Sequence, residues 1–277
     1  MKLLALLLAG AAALLLLVWL GQRRLIYFPS RDVPEPRRVG LADVVEANFA
    51  ADDGVALHGW FVAAWKPRRD LALLVCHGNG GDIANRADLL RSLPRAGLDV
   101  LVFDYRGYGR SADVGPTEEG LYRDGRAALA WLRERTGLPA SRVVLYGESL
   151  GSGIAVELAR ELAPDAPHAL VLQSPFTSLA DAGAAHFPFL PVSLLLRDRY
   201  DNLAKIGALH VPLLVMHGTS DATVPVAQGR ALVARAAGPK RMVEVRGGEH
   251  NDLWGDERAR TADVVKFLDE VAGPAAH

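Results

Sequence analysis

A chain of 277 residues can bury one sizeable core, and with half of its residues hydrophobic nothing in the composition divides it in two. Its 31 basic and 32 acidic residues balance, and no basic tract interleaved with aromatics is present, so a nucleic-acid partner is not expected. The only cysteine, Cys76, excludes an intrachain disulfide.

Residues 3–20 are apolar or small and carry no charge; Lys2 precedes them, and Arg23 and Arg24 follow. At helical rise the run covers about 27 Å, close to the hydrocarbon thickness of a bilayer. Trp19, Tyr27 and Phe28 stand where interfacial aromatics would lie. The run reads as a single-pass membrane anchor, residues 1–22, facing bilayer lipid through 3–20. A cleaved signal peptide is the alternative, but Ala11-Ala12-Ala13 lies inside the run and Trp19 before Gly21 makes a poor cleavage site. A buried helix is the third reading. Flanking charges do not fix the side of the membrane.

Residues 23–43, with Pro29, Pro34, Pro36 and alternating charges, read as an extended connector. A catalytic domain then occupies 44–277. Strand-like stretches at 44–50 and 55–63 flank Asp52-Asp53-Gly54, a hairpin signal. Short apolar runs follow at 71–76, 100–103, 143–146, 169–172 and 213–216. They alternate with helical periodicity at 83–96, 120–136 and 153–162. A last strand at 241–245 precedes a helix at 258–271. Strands apolar on both faces and alternating with helices predict an α/β fold with a mostly parallel sheet, helices on both faces and an antiparallel hairpin at its start. The stretch between residues 172 and 213 is too short for a large folded lid. Its Phe187, Phe189, Leu190, Leu194 and Leu195 either form an apolar lip for an acyl chain or pack a short helix onto the domain.

In such a sheet ligands bind at the carboxyl ends of the strands, and reactive residue types cluster there. The strand 143–146 leads into Gly147-Glu148-Ser149-Leu150-Gly151, and small residues then open a helix. This is the strand–turn–helix setting of a nucleophile elbow, with Ser149 as the nucleophile. A serine hydroxyl needs a base. Asp221 follows the strand 213–216 through His217-Gly218-Thr219-Ser220, and His250 follows the last strand through Gly247-Gly248-Glu249. The order Ser, Asp, His makes His250 the general base and Asp221 its orienting acid. Glu249 and Asp252 lie too close to His250 in sequence to serve easily as the third member. His217 is read as a packed histidine bonding to backbone. His77-Gly78-Asn79-Gly80-Gly81 follows the strand 71–76, where one oxyanion donor is expected; the donors are the backbone N–H groups of Asn79 and Leu150. The glycine run lacks the Lys-Ser/Thr of a phosphate loop. No His or Cys cluster has metal-ligand spacing, so neither metal nor cofactor is expected.

Six motifs occur in order: His77-Gly78-Asn79-Gly80, Phe103-Asp104-Tyr105-Arg106-Gly107-Tyr108-Gly109, Gly147-Glu148-Ser149-Leu150-Gly151, Ser174-Pro175-Phe176, His217-Gly218-Thr219-Ser220-Asp221 and Gly248-Glu249-His250-Asn251-Asp252. With them the chain resembles the α/β-hydrolase family, in particular its membrane-tethered, small-capped branch related to bud-emergence-suppressor-like hydrolases. It is also similar to serine aminopeptidases and acyl-protein thioesterases. Leu25-Ile26-Tyr27-Phe28-Pro29 looks like that branch too. The resemblance implies hydrolysis of an ester, thioester or amide without choosing among them, and makes Asp104 and Arg106 structural. An acyl ester or thioester is the expected substrate. A peptidase is the enzyme alternative, and a non-catalytic membrane scaffold is the rival of another class.

Overall fold

A computed structural model describes residues 2–272; the side chains at 8, 11, 12 and 14 lie outside the described set. The expected outer limits of the anchor at residue 1 and of the catalytic domain at 277 therefore lie outside the described residues.

The strands are β1 Val45–Ala50, β2 Ala56–Val62, β3 Ala72–Cys76, β4 Asp99–Asp104, β5 Val143–Glu148, β6 Ala169–Gln173, β7 Leu213–Gly218 and β8 Lys240–Val245. They form one 8-stranded sheet in the order β8-β7-β6-β5-β3-β4-β2-β1. Pairings from β8 through β3 to β4 are parallel, while β2 runs antiparallel to both β4 and β1. The expected hairpin is thus the edge of a mostly parallel sheet.

Period-two alternation divides the side chains between two cores. Ala72, Leu74 and Cys76 of β3 face one side with Val143 and Leu145 of β5. Leu73 and Val75 face the other with Val144 and Tyr146. The first layer is closed by α3 (Glu118–Thr136), α4 (Leu150–Glu161), α7 (Asn202–Ile206) and α8 (Val226–Arg235). The second is closed by α2 (Ala87–Ser92) and α9 (Glu257–Val271). Burial on both faces is why these strands are apolar at every position, and each fully buried Leu or Val contributes roughly 1.5–3 kcal/mol. The cap between β6 and β7 holds α5 (Leu179–His186) and α6 (Val192–Leu195).

Three expectations change. The helix at 83–96 is broken into a 3-10 turn at Ile83–Arg86, α2, and a second 3-10 turn at Pro94–Ala96. Pro94 has no N–H to continue the helical ladder. The connector at 23–43 is not an extended spacer. Arg23–Ile26 is one helical turn, Phe28–Pro29 pair in parallel with Gly80–Gly81, and Ile26, Tyr27, Val33 and Leu41 are buried. Its apolar residues have a core to enter, which a solvated linker would lack.

The third concerns the N-terminal run. It forms α1, Lys2–Gly21, with Leu3, Leu6 and Leu17 exposed. Among the described residues no helix is long and apolar enough to cross a membrane. The transmembrane reading of 3–20 is therefore not established by the fold.

Candidate active site

Ser149 sits between β5 and α4 with φ 48° and ψ −112°. That is a region L-residues rarely occupy, and a few kcal/mol of strain is held there by the surroundings. The neighbouring glycines make the turn possible. A Cβ on Gly147 would lie 2.6 Å from the Gly151 carbonyl oxygen, and one on Gly151 only 1.9 Å from that of Cys76. The strained turn lifts Ser149 Oγ off the sheet edge and leaves it 9% exposed with its residue.

The loops after β7 and β8 bring the other two residues to this point. His250 Nε2 is 2.9 Å from Ser149 Oγ, and His250 Nδ1 is 2.7 Å from Asp221 Oδ2. A proton on Nδ1 leaves Nε2 able to accept from the serine hydroxyl. Asp221 Oδ1 accepts from the Thr223 and Val224 amides at 2.9 and 2.8 Å. Burial alone would raise the Asp221 pKa. Hydrogen bonds from His217, His250 and the Val224 amide outweigh it and hold the carboxyl well below the usual carboxylate range. The acid is thus a fixed anion.

The His250 loop is built locally. Asp252 Oδ1 accepts from the Glu249 amide at 2.7 Å, and Ser220 N–H donates to the Gly248 carbonyl at 3.0 Å. Asp252 therefore shapes the loop and does not reach the imidazole as an acid. His217 bonds the Val224 carbonyl at 2.8 Å, and its Nε2 also lies 3.2 Å from Asp221 Oδ2.

The two candidate oxyanion donors frame the serine. The Ser149 amide is spent on the Gln173 carbonyl at 2.9 Å, whereas the Leu150 and Asn79 amides donate to no protein acceptor among the described residues. Asn79 is held on three sides. Its carbonyl accepts from Phe28 N–H at 2.9 Å and from Tyr108 Oη at 2.8 Å, and its Nδ2 donates to the Ile26 carbonyl at 2.8 Å. His77 stays out of the chemistry. It is fully buried, its ring lies tilted against Tyr105, and burial pushes its pKa well down.

Sequence reasoning did not single out Arg86 as the partner of Glu148, the residue before the nucleophile. Arg86 forks onto Glu148, with Nε at 2.9 Å and Nη2 at 2.7 Å, and its Nη1 donates to the Gly80 and Asp82 carbonyls. Burial would lower the Arg86 pKa, but Glu148 keeps it raised. The pair links the elbow to the glycine turn that carries Asn79. Arg106, by contrast, binds Asp124 and Asp53 away from Ser149 and holds a loop.

Two cavities meet at Ser149 and Asn79. One of about 380 Å³ is apolar and runs under the cap. The other, about 520 Å³, is polar and is lined by Asn85, Arg86, Glu148, Thr223, His250 and Asn251 among others.

Comparison with known proteins agrees with this architecture. A family model described as alpha/beta hydrolase fold matches residues 72–191. An uncharacterized protein of Mycobacterium tuberculosis is 43% identical over 267 residues, which are 95% of this chain and 92% of that one. Lysophosphatidylserine lipase ABHD12 of Gallus gallus is 30% identical over 257 residues, 80% of this chain and 66% of that protein. Among solved structures, the Pyrococcus furiosus esterase Pf2001 superposes with a TM-score of 0.72 at 19% identity, covering 90% of this chain and 98% of the esterase. At that identity the likeness is one of fold. Sheet order, elbow and sequence similarity together establish that the chain belongs to the α/β-hydrolase family.

Proposed function

We propose that the protein is a serine hydrolase that cleaves a carboxylic ester, thioester or lipid acyl bond through an acyl-enzyme on Ser149. The observation that carries the reading is the continuous chain from Ser149 Oγ through His250 to Asp221, with links of 2.9 and 2.7 Å.

In this reading His250 Nε2 takes the hydroxyl proton as Ser149 Oγ attacks the acyl carbon. The Asn79 and Leu150 amides stabilise the oxyanion, a contribution of about 3 kcal/mol per donor. The intermediate collapses as His250 returns the proton to the departing alcohol or thiol. Water, deprotonated by the same nitrogen, then releases the acid. Asp221 holds the ring and offsets the imidazolium charge.

The charge around the site favours an ester or thioester over a peptide substrate. An aminopeptidase needs a charged partner for the substrate terminus. Arg86 and Glu148, which line the polar cavity, neutralise each other. The lipase and esterase names among the similar proteins agree with an acyl ester. A panel of p-nitrophenyl esters, thioesters and aminoacyl anilides, with Ser149→Ala as the control, tests the reading. Ester or thioester turnover lost in Ser149→Ala is expected; preference for the anilides contradicts the substrate class.

We also propose that α1 tethers the protein to a bilayer. The support is the uncharged run 3–20 and a helix of 20 residues, about 30 Å long. Among the described residues no helix is long and apolar enough to cross a membrane, so the proposal rests on the sequence run and the helix length. Recovery of the full chain in a carbonate-washed membrane fraction is the expected outcome. A free, N-terminally shortened product would point to cleavage.

A further inference from the structure

The apolar cavity beside Ser149 is not built by the hydrolase domain alone. Its inner end is Ser149, Leu150 and Asn79, and its roof is the cap, including Leu179, Phe187 and Leu195. Its lining also includes Val18, Gln22, Leu25 and Ile26, at the foot of α1 and in the turn that follows. Among the described residues no Asp, Glu, Lys or Arg lines it.

That segment is fastened at both ends. The buried Gln22 donates to the Leu195 carbonyl at 3.1 Å and accepts from the Arg197 amide at 2.8 Å, which ties it to the cap. Arg23 and Tyr27 both bond Asp198 in the next loop. At the other end the Ile26 carbonyl accepts from Asn79 Nδ2 at 2.8 Å, within the glycine turn beside Ser149. A segment held to cap and turn in this way keeps a fixed position relative to the nucleophile.

We propose that Val18 and Leu25 form one wall of an acyl-chain site, so that the N-terminal segment helps to select substrates with a long, unbranched, uncharged acyl chain. The inference rests on Ser149 acting as the nucleophile and adds which acyl groups it receives and what part of the chain measures them. A chain running from Ser149 to this wall buries methylenes, each of which is expected to raise kcat/KM about fourfold until the wall is reached. A short chain stops under the cap and gains nothing from α1.

The experiment uses the full-length protein and p-nitrophenyl esters from butyrate to palmitate, each kept below its micellar concentration. The wild type is expected to favour laurate over butyrate by at least about tenfold in kcat/KM. Val18→Trp and Leu25→Trp fill the cavity from the N-terminal segment, and each is expected to lower that ratio about tenfold. Leu17→Trp lies on the same helix outside the cavity and is expected to keep the wild-type ratio. A wild type that prefers butyrate, or a ratio unmoved in both Val18→Trp and Leu25→Trp, overturns the wall. A short fluorophosphonate applied to the same samples separates the two levels. Labelling without chain-length dependence removes this inference alone, whereas absence of labelling removes the hydrolase reading as well.

Discussion

The Asn79 side chain donates to the Ile26 carbonyl at 2.8 Å, which joins the candidate oxyanion turn to a segment 53 residues earlier in the chain. The backbone N–H that would bind an oxyanion is thus aimed by residues that precede the hydrolase sheet. Asn79→Ala keeps that N–H but removes the tie. A loss of about tenfold in kcat with KM little changed is expected, smaller than the 10²–10³ of deleting a donor outright. Steady-state kinetics on a soluble ester, with a thermal melt to check folding, measures it. An unchanged kcat would mean that the turn holds its shape without Ile26.

The elbow carries a steric prediction. In Gly151→Ala the new Cβ would fall 1.9 Å from the Cys76 carbonyl oxygen, on the strand next to β5. Neither backbone can yield cheaply, so the variant is expected to lose about 1–3 kcal/mol or more of stability. The midpoint of urea unfolding reports this. Wild-type stability in Gly151→Ala would contradict the close approach of α4 to β3.

Arg86 and Glu148 form a nearly buried ion pair, with side chains 7% and 15% exposed. Arg86→Met leaves Glu148 unpaired and is expected to cost about 3 kcal/mol. Adding Glu148→Gln should recover part of that, because a neutral amide is cheaper to leave without a cation. A double-mutant cycle by chemical denaturation measures the coupling, and strict additivity would argue against it.

Asp221 predicts an acid-side signature. Its folded pKa lies below its unfolded value of about 3.9, so the carboxylate stabilises the fold above that pH. The contribution falls as pH drops from there through the folded pKa. The stability difference between wild type and Asp221→Asn is therefore expected to be constant above about pH 5 and to shrink below about pH 4. The same variant should lose about 10⁴ in kcat, because the amide favours the wrong imidazole tautomer. A stability difference independent of pH down to acid unfolding would contradict the ionised, hydrogen-bonded Asp221.

Much of this was readable from local pattern. Apolar runs such as 71–76 and 143–146 mark strands buried on both faces, and each reactive residue type follows one of them. The Gly-x-Ser-x-Gly turn could be recognised because close approach of helix and strand excludes any Cβ at Gly147 and Gly151. What escaped was set by distant contacts. Ile26 and Asn79 are 53 residues apart, and Arg86 and Glu148 are 62 apart, so no window of sequence contains either pair. The prolines and charges of 23–43 suggested a spacer, whereas its buried Ile26, Tyr27 and Val33 carry no periodic signal in so short a stretch. The break at Pro94 was legible, yet the apolar periodicity on both sides of it outweighed one proline.

The central claim is that Ser149, activated by His250, is the nucleophile. Fluorophosphonate labelling of the full-length protein, with the modified peptide identified by mass spectrometry, tests it most directly. One adduct is expected, on Ser149, absent from Ser149→Ala and strongly slowed in His250→Ala while both variants remain folded. An unlabelled, folded wild type, or an adduct that persists on another residue in Ser149→Ala, would contradict it.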